Sequence, residues 1–207
     1  MGVRDRRRAA LIVAARELFL ERGLAEVTID DIADRVNVTR RTVYRYFPTR
    51  DHVALAVEVS VFERWAAVTA EREATWSGTA VERFDAAVGD LELLIDDAAD
   101  EVRFTREFDG ARLVERDPEL DAAFRAAIMS LLAPIVAILE AGKLDGTLHL
   151  PGDPVVTAAT INNAYIALAQ RVYGRGDQLA DEQSVDPRAL LSELSRMYRA
   201  ALRPPGG

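Results

Sequence analysis

The residues best suited to a chemical task stand together in the stretch TRRTVYRYFPTR, which runs from Thr39 to Arg50. If Val43 points into a core, the opposite face of a helix there carries three arginines and a tyrosine: Arg40, Arg41, Tyr44 and Arg45. An arginine can donate two hydrogen bonds to the acceptor edge of guanine in the major groove. Tyrosine and threonine hydroxyls suit phosphate oxygens. The pattern favours DNA binding, and the alternative is a solvated basic face on an ordinary helical hairpin.

Catalytic and metal-binding patterns are weak by comparison. The sequence has two histidines, His52 and His149, which are far apart and have no metal-ligand partner at helical spacing. It contains no nucleophile elbow, no phosphate-binding glycine loop and no Glu-x-x-His pair. The acidic pairs at 30–31 and 96–97 fall on faces that are predicted to be exposed. The sequence therefore predicts a protein that is not an enzyme, with no metal site and no cofactor.

Two short helices are predicted to position the basic face. Apolar residues recur at helical spacing in residues 29–36, pause across Asn37 and resume in residues 38–47. Thr28 and Thr39 are each placed to cap one of the two helices. Asparagine also tolerates the left-handed backbone that a tight turn requires. This combination predicts a helix-turn-helix. A longer helix from Asp5 to Arg22 precedes it and completes a three-helix domain.

These residues resemble a known family. The stretches TIDDIADRV and VTRRTVYRYFPTRDHV, preceded by a helix ending in ERG, resemble the signature of TetR-type transcriptional repressors. The resemblance implies an all-α homodimer whose C-terminal domain binds a small molecule that loosens the grip on operator DNA. Asn37 departs mildly from the family, which usually has glycine at the turn. The DNA contacts that the resemblance implies fall on Thr39, Arg40, Arg41, Thr42, Tyr44, Arg45, Tyr46 and Arg50.

The distribution of charge separates the two ends of the chain. Residues 1–50 hold 11 Arg against 7 Asp and Glu, whereas the remainder holds 15 basic and 27 acidic residues, for a net charge of −8 overall. Only the N-terminal part is therefore expected to meet a polyanion. The absence of cysteine excludes disulfides and zinc–thiolate sites. We find no signal-peptide pattern and no apolar run near the roughly 20 residues that cross a bilayer, so a cytoplasmic protein without a membrane partner is expected.

The rest of the chain predicts only helices. The fold class is therefore all-α, with a helix-turn-helix domain in residues 1–50 and a larger ligand-binding and dimerisation domain in residues 51–207. Three Asp-Pro pairs predict helix starts, because aspartate caps well and proline fits the first helical position. The predicted helices cover about 51–72, 79–98, 101–115, 118–141, 154–173 and 187–202.

The last two predicted helices are candidates for a dimer interface. Helix 154–173 is apolar around most of its circumference, and helix 187–202 has a single apolar stripe. Two such helices from each of two chains would form a four-helix contact, and the alternative is a monomer that covers these faces itself. The candidate interface residues are Leu168, Val172, Leu190, Leu191, Leu194, Met197 and Tyr198.

A small-molecule effector is expected mainly from the resemblance. Polar residues in helices that otherwise look buried need hydrogen-bond partners, which a ligand or a second subunit can supply. Aromatic and methionine side chains nearby can line an apolar cavity or form plain core. The candidate ligand-binding residues are Phe104, Phe108, Met129, Asn162 and Tyr165.

The leading hypothesis is a ligand-responsive DNA-binding transcriptional regulator, specifically a repressor released from a palindromic operator by a small molecule. Its expected partners are double-stranded operator DNA, an unidentified effector and a second copy of the chain. Helix 51–72 is the expected mechanical connection between the two domains. The alternative is an all-α enzyme or a scaffolding dimer that keeps the helix-turn-helix as a structural hairpin.

Overall fold

A computed structural model describes residues 2–111 and 117–204, and within them the chain is helical, with no strand. The all-α prediction is confirmed. The helices are α1 (Val3–Arg22), α2 (Ile29–Arg35), α3 (Arg40–Tyr44), α4 (Arg50–Glu73), α5 (Ala80–Asp97), α6 (Ala99–Gly110), α7 (Pro118–Asp145), α8 (Pro154–Gln183) and α9 (Pro187–Ala201).

The three Asp-Pro pairs begin helices as predicted. Asp153 Oδ1 accepts hydrogen bonds from the amides of Val155 and Val156 at 2.9 and 3.0 Å. Asp117 and Asp186 accept from first-turn amides in the same way, at 2.8 and 3.0 Å. Each aspartate satisfies amide groups that have no partner within their own helix. Local chemistry alone therefore sets the starts of α7, α8 and α9.

Three helix ends differ from the sequence prediction. α8 continues to Gln183 rather than ending near residue 173, although Arg175 interrupts it with φ −155° and ψ 36°. α7 continues through Gly142 to Asp145, and Leu148 packs so closely on Gly142 that any side chain at residue 142 would collide with it. α6 ends at Gly110. The predicted end of that arginine-rich helix, in residues 112–116, lies outside the described residues.

The first compact unit combines Met1–Phe62 with Arg103–Ala127. Phe104 of α6 stacks on Phe19 of α1 with ring centroids 5.6 Å apart, and Phe124 of α7 meets Phe62 of α4 edge to face at 5.2 Å. Parts of α4, α6 and α7 therefore belong to the same compact unit as the helix-turn-helix. These compact units are defined by packing, whereas the predicted boundary at residue 50 separates two functions. That functional boundary stays a prediction. The core of this unit includes Leu11, Ala15, Leu18, Phe19, Ile32, Val43, Phe47, Val53 and Val57.

The second compact unit combines Glu63–Val102 with Ile128–Gly207. One buried carboxylate, that of Glu101, links α6 to α4 inside this unit. It accepts hydrogen bonds from the indole Nε1 of Trp65 at 2.7 Å and from Nε of Arg64 at 2.8 Å. The apolar core of the unit is formed by Ala80, Phe84, Ala87, Val88, Ile138, Leu139, Leu148, Leu150, Ala158, Ile161 and Leu202.

Helix α7 is long and apolar enough, by length and composition, to cross a membrane. No such segment was predicted from the sequence, so α7 departs from that prediction. The same criterion is also met by core helices of soluble proteins, and it is weak evidence for a membrane span. Here Leu131, Leu132, Ile138 and Leu139 of α7 are buried against the rest of the second unit.

Candidate nucleic-acid interface and ligand cavity

Helices α2 and α3 are held in a helix-turn-helix by local hydrogen bonds. The Thr28 hydroxyl accepts from the Asp31 amide at 3.2 Å, and the Asp31 carboxylate accepts from the Thr28 amide at 2.8 Å. Asn37 adopts the predicted left-handed conformation, with φ 52°. Thr39 then caps α3 by accepting from the Thr42 amide at 3.3 Å. The sequence prediction of this motif is confirmed.

The outward side of α3 carries the basic residues that the sequence pattern places there. Val43 and Phe47 are buried and anchor the helix to the first unit. Thr42, Tyr46 and Arg50 are half-buried. The remaining implied DNA contacts are exposed: Thr39, Arg40, Arg41, Tyr44 and Arg45. These five exposed side chains form the α3 surface.

The two arginines at the start of α3 differ in their surroundings. The Arg40 guanidinium donates to Asp30 Oδ2 at 3.0 Å and to the Tyr44 hydroxyl at 3.1 Å. Arg41 makes no such bond to any residue in the described part of the chain. An ion pair between exposed side chains contributes less than about 1 kcal/mol. Arg40 can therefore leave Asp30 for DNA at small cost, and Arg41 can do so without losing a partner.

Arg50 makes its contacts inside the first unit. Its Nε donates to the carbonyl oxygen of Val27 at 2.7 Å, and its guanidinium lies 5.9 Å from the centre of the Phe19 ring. One terminal nitrogen of the guanidinium is buried. In the free protein Arg50 therefore joins the start of α4 to the segment before α2. Its phosphate contact stays a prediction that would require this side chain to rearrange.

A small cavity lies inside the second unit. About 40 Å³ of open space is enclosed by the end of α4 and by parts of α5, α7 and α8. Ligand sites for drug-sized molecules usually measure about 300–1,000 Å³. The cavity therefore has room for a few water molecules, and a larger ligand must push these helices apart.

The cavity wall is mostly apolar, and its charged groups lie together at one place, the polar end. There the indole Nε1 of Trp76 donates to Asp90 Oδ2 at 2.7 Å, and a guanidinium nitrogen of Arg72 lies 3.5 Å from Asp90 Oδ1. None of these three residues was predicted from the sequence as part of a ligand site. Trp76 lies in a predicted break between helices, and its distance from Asp90 in the sequence gives no helical spacing that would reveal the pair.

The structure brings one of the five predicted ligand residues to this cavity, namely Asn162. Tyr165 is buried nearby in α8, and its hydroxyl lies 3.4 Å from that of Ser195. Burial raises the pKa of Tyr165 to about 12. Phe104 and Phe108 instead pack in the first unit, with ring centroids 6.2 Å apart. Met129 is 56% exposed. These five residues therefore do not form a single site in the free protein.

The predicted interface residues fall into two groups. Val172 and Leu191 are buried within the chain's own core, and Tyr198 packs against the core of the second unit. The other four predicted interface residues reach the surface of the chain. Met197 is exposed, and Leu168, Leu190 and Leu194 are half-buried. On α9, three of these lie on one stripe, the α9 stripe, consisting of Leu190, Leu194 and Met197.

The helix-turn-helix part of the chain is similar to known bacterial regulatory proteins. A family model described as bacterial regulatory proteins, tetR family, matches residues 11–57. The transcriptional activator FasR of Mycolicibacterium smegmatis is 41% identical over 26% of this chain, and the alignment spans a quarter of that protein (25%). The regulator TcmR of Streptomyces glaucescens is 29% identical over 99% of this chain and 92% of its own length.

The fold is also similar to that of solved regulators along most of its length. The transcriptional regulator FadR from Bacillus subtilis, in complex with stearoyl-CoA, matches with a TM-score of 0.66 at 17% identity. The match covers 93% of this chain and 98% of that one. At this level of identity the likeness concerns the fold alone.

Proposed function

Because the chain belongs to the TetR family of bacterial transcriptional regulators, we propose that it is a dimeric repressor that a small molecule releases from operator DNA. The observation that carries the proposal is the α3 surface, which presents three exposed arginines, a threonine and a tyrosine on a helix-turn-helix that buried Val43 and Phe47 anchor. A helix of this kind reads base edges in the major groove and is held in register by phosphate contacts. The protein acts in the cytoplasm, where operator DNA is found.

Helix α4 supports a ligand-dependent mechanism. Its first turn contains Arg50, which is bonded to Val27 ahead of α2, and its last turns supply Val68 and Arg72 to the cavity wall. The cavity is smaller than a typical ligand, so binding must displace the surrounding helices, α4 among them. A displaced α4 would change the separation of the α3 helices in a dimer, and DNA groove spacing is fixed. Ligand and operator would then oppose each other by about 1–3 kcal/mol, equally in both directions.

A dimer is part of the proposal because one α3 surface offers few contacts. The α9 stripe, together with Val156 of α8, which is 64% exposed, leaves apolar surface uncovered on one chain. Two copies related by a twofold axis would read two half-sites about 34–36 Å apart, or a multiple of that distance. The operator is therefore expected to be a near-palindrome.

The proposal is tested with DNA from beside the protein's own gene. The full-length protein should protect a near-palindromic site from nuclease, and a reporter behind that site should become more active when the regulator is removed. Affinity should fall steeply with salt, as expected for displacement of counterions from phosphates. A protein that binds this DNA no better than unrelated DNA of equal length would overturn the proposal. Loss of reporter activity on removal would instead identify an activator.

The dimer is tested by placing a charge on the α9 stripe. Leu194→Glu should give a monomer by light scattering at micromolar concentration, because a carboxylate would be buried in the contact. Ser192→Glu adds the same charge on an exposed part of the same helix, away from the stripe, and should remain dimeric. Operator affinity should fall with the first variant only. A monomeric wild-type protein would rule out this arrangement.

A further inference from the structure

We propose that the effector is an apolar molecule with one positively charged group, and that Asp90 is the residue that recognises this charge. The inference rests on the proposed ligand-responsive function and adds the chemical class of the ligand. It concerns the cavity of the second unit, where a single ion pair stands at the polar end of a mostly apolar wall.

The walls of the cavity account for the apolar part of the ligand. Apart from the polar end, the lining consists mostly of aliphatic side chains from α5, α7 and α8, with Phe84 as an aromatic neighbour. Burying apolar surface here contributes affinity in proportion to the area removed from water. Two neutral polar side chains, Thr69 and Asn162, also line the cavity and can orient a ligand by hydrogen bonds. The walls therefore favour a hydrocarbon or aromatic body.

At the polar end, the side chain of Asp90 is held more firmly than that of Arg72. The Asp90 side chain is 20% exposed and is anchored by the Trp76 indole at 2.7 Å. The Arg72 side chain is 49% exposed and approaches Asp90 only to 3.5 Å. The carboxylate is thus the fixed member of the pair, and the guanidinium can turn into solvent at little cost. A ligand ammonium that enters the cavity can take the place of Arg72 at Oδ1 of Asp90.

An acidic ligand is less well matched to the same end. Its carboxylate would either lie beside Asp90 or remove Arg72 from it, and both arrangements leave a mostly buried negative charge without a close positive partner. The surrounding chain adds to this preference, since residues 63–102 contain 11 Asp and Glu against 3 Arg. A field of that sign concentrates cations and repels anions. The geometry of the ion pair and the local charge distribution therefore both favour a cationic ligand over an acidic one.

The proposal is tested with three compounds that share one apolar body. 4-Phenylbutylamine, 4-phenylbutanol and 4-phenylbutyrate are titrated into the full-length protein by calorimetry, with lauroyl-CoA as an acyl comparison. The amine should bind at least about tenfold more tightly than the other two, as expected for a charge that finds a desolvated partner. Quenching of Trp76 fluorescence, obtained as the difference between wild type and Trp76→Phe, should accompany amine binding and locate it.

Two matched variants separate a specific contact from net charge. Asp90→Asn keeps an acceptor for the Trp76 indole but removes the negative charge, so the preference for the amine should shrink to within about threefold. Asp97→Asn makes the same change in net charge at an exposed residue of α5 outside the cavity, and the preference should persist. An undiminished preference in Asp90→Asn would overturn the inference. Tighter binding of phenylbutyrate or lauroyl-CoA, or no binding of the amine, would overturn it as well.

Operator binding is measured in parallel by fluorescence anisotropy without any ligand, so that the two proposals fail separately. Wild-type protein that binds the operator but shows no amine preference refutes only the ligand class. Wild-type protein that binds no operator refutes the repressor, whatever it does with the three compounds. When both hold, the amine should weaken operator binding and the Asp97→Asn protein should respond like wild type.

Discussion

Glu58→Gln is expected to make the folded protein markedly more stable than wild type at pH 8 and similar to it near pH 4. The side chain of Glu58 is 2% exposed in the core of the first unit, and its Oε2 has no hydrogen-bond partner within residues 2–111 and 117–204. Burial, with the nearby negative charge of Asp109 as a smaller cause, raises the pKa of Glu58 to about 8. The folded protein therefore holds a proton that the unfolded chain releases near its ordinary pKa of 4.5.

The sign of the effect follows from proton linkage. Between pH 4.5 and 8 the folded state binds one more proton at this residue than the unfolded state, so the free energy of unfolding falls as pH rises. The contribution of protonated Glu58 is complete below pH 4.5 and is lost through its folded pKa of about 8. At about 1.4 kcal/mol per pH unit, the loss over this interval approaches about 5 kcal/mol. Glutamine has nearly the same shape and carries no proton to release.

Urea unfolding at a series of pH values, at one protein concentration, measures this difference. The curve for Glu58→Gln should diverge upward from that of wild type as pH increases. Glu63→Gln is the control, because Glu63 lies on the same helix but is exposed; its curve should run parallel to wild type. Parallel curves for wild type and Glu58→Gln would show that Glu58 is ionised or solvated in the folded protein.

Simultaneous replacement of Arg40, Arg41 and Tyr44 by alanine is expected to abolish operator binding at physiological salt. All three side chains are exposed on the α3 surface, where a good arginine contact to a base is worth about 1–3 kcal/mol and the tyrosine hydroxyl adds a phosphate contact. Losing all three contacts should lower the affinity for the operator at least about 100-fold, since about 1.4 kcal/mol corresponds to each factor of ten. Among the single variants, Arg41→Ala should cost more than Arg40→Ala, since Arg40 gives up its contact with Asp30 when it binds DNA.

Fluorescence anisotropy with a labelled operator measures these affinities at fixed salt. The buried anchors Val43 and Phe47 are unchanged in the triple variant, so its circular dichroism should match wild type. Arg196→Ala is the control for loss of an arginine, because it lies on α9 and pairs with Glu193 at the surface; its affinity should be unaffected. Wild-type affinity in the triple variant would show that α3 is not the surface that reads DNA.

The local parts of this protein could be derived from its sequence. The turn at Asn37, the caps at Thr28 and Thr39 and the Asp-Pro helix starts all depend on hydrogen bonds between residues at most five apart. Such bonds are determined by the identity and spacing of neighbours in the chain. The exposed face of α3 follows in the same way, because helical periodicity places its arginines opposite Val43.

The placement of residues distant in the chain was decided by tertiary structure. In the sequence Glu58 resembles an ordinary charged residue of α4, but in the folded protein its side chain is buried by the surrounding helices. Arg50, at the start of the same helix, resembles a phosphate contact but finds a carbonyl oxygen 23 residues away, at Val27. Phe104 and Phe108 look like ligand contacts and pack instead in the first unit.

The same distinction separates the two candidate sites. The α3 surface is contained in one short stretch, so its chemistry is visible in the order of the residues. The cavity depends on Arg72, Trp76 and Asp90, which meet only because α5 turns back against the end of α4. Helical spacing relates residues three or four apart, whereas contacts across helices depend on how apolar faces throughout the chain are buried together. The sequence by itself therefore determined the DNA-binding motif, and only the packing of the helices decided which side chains meet around a ligand.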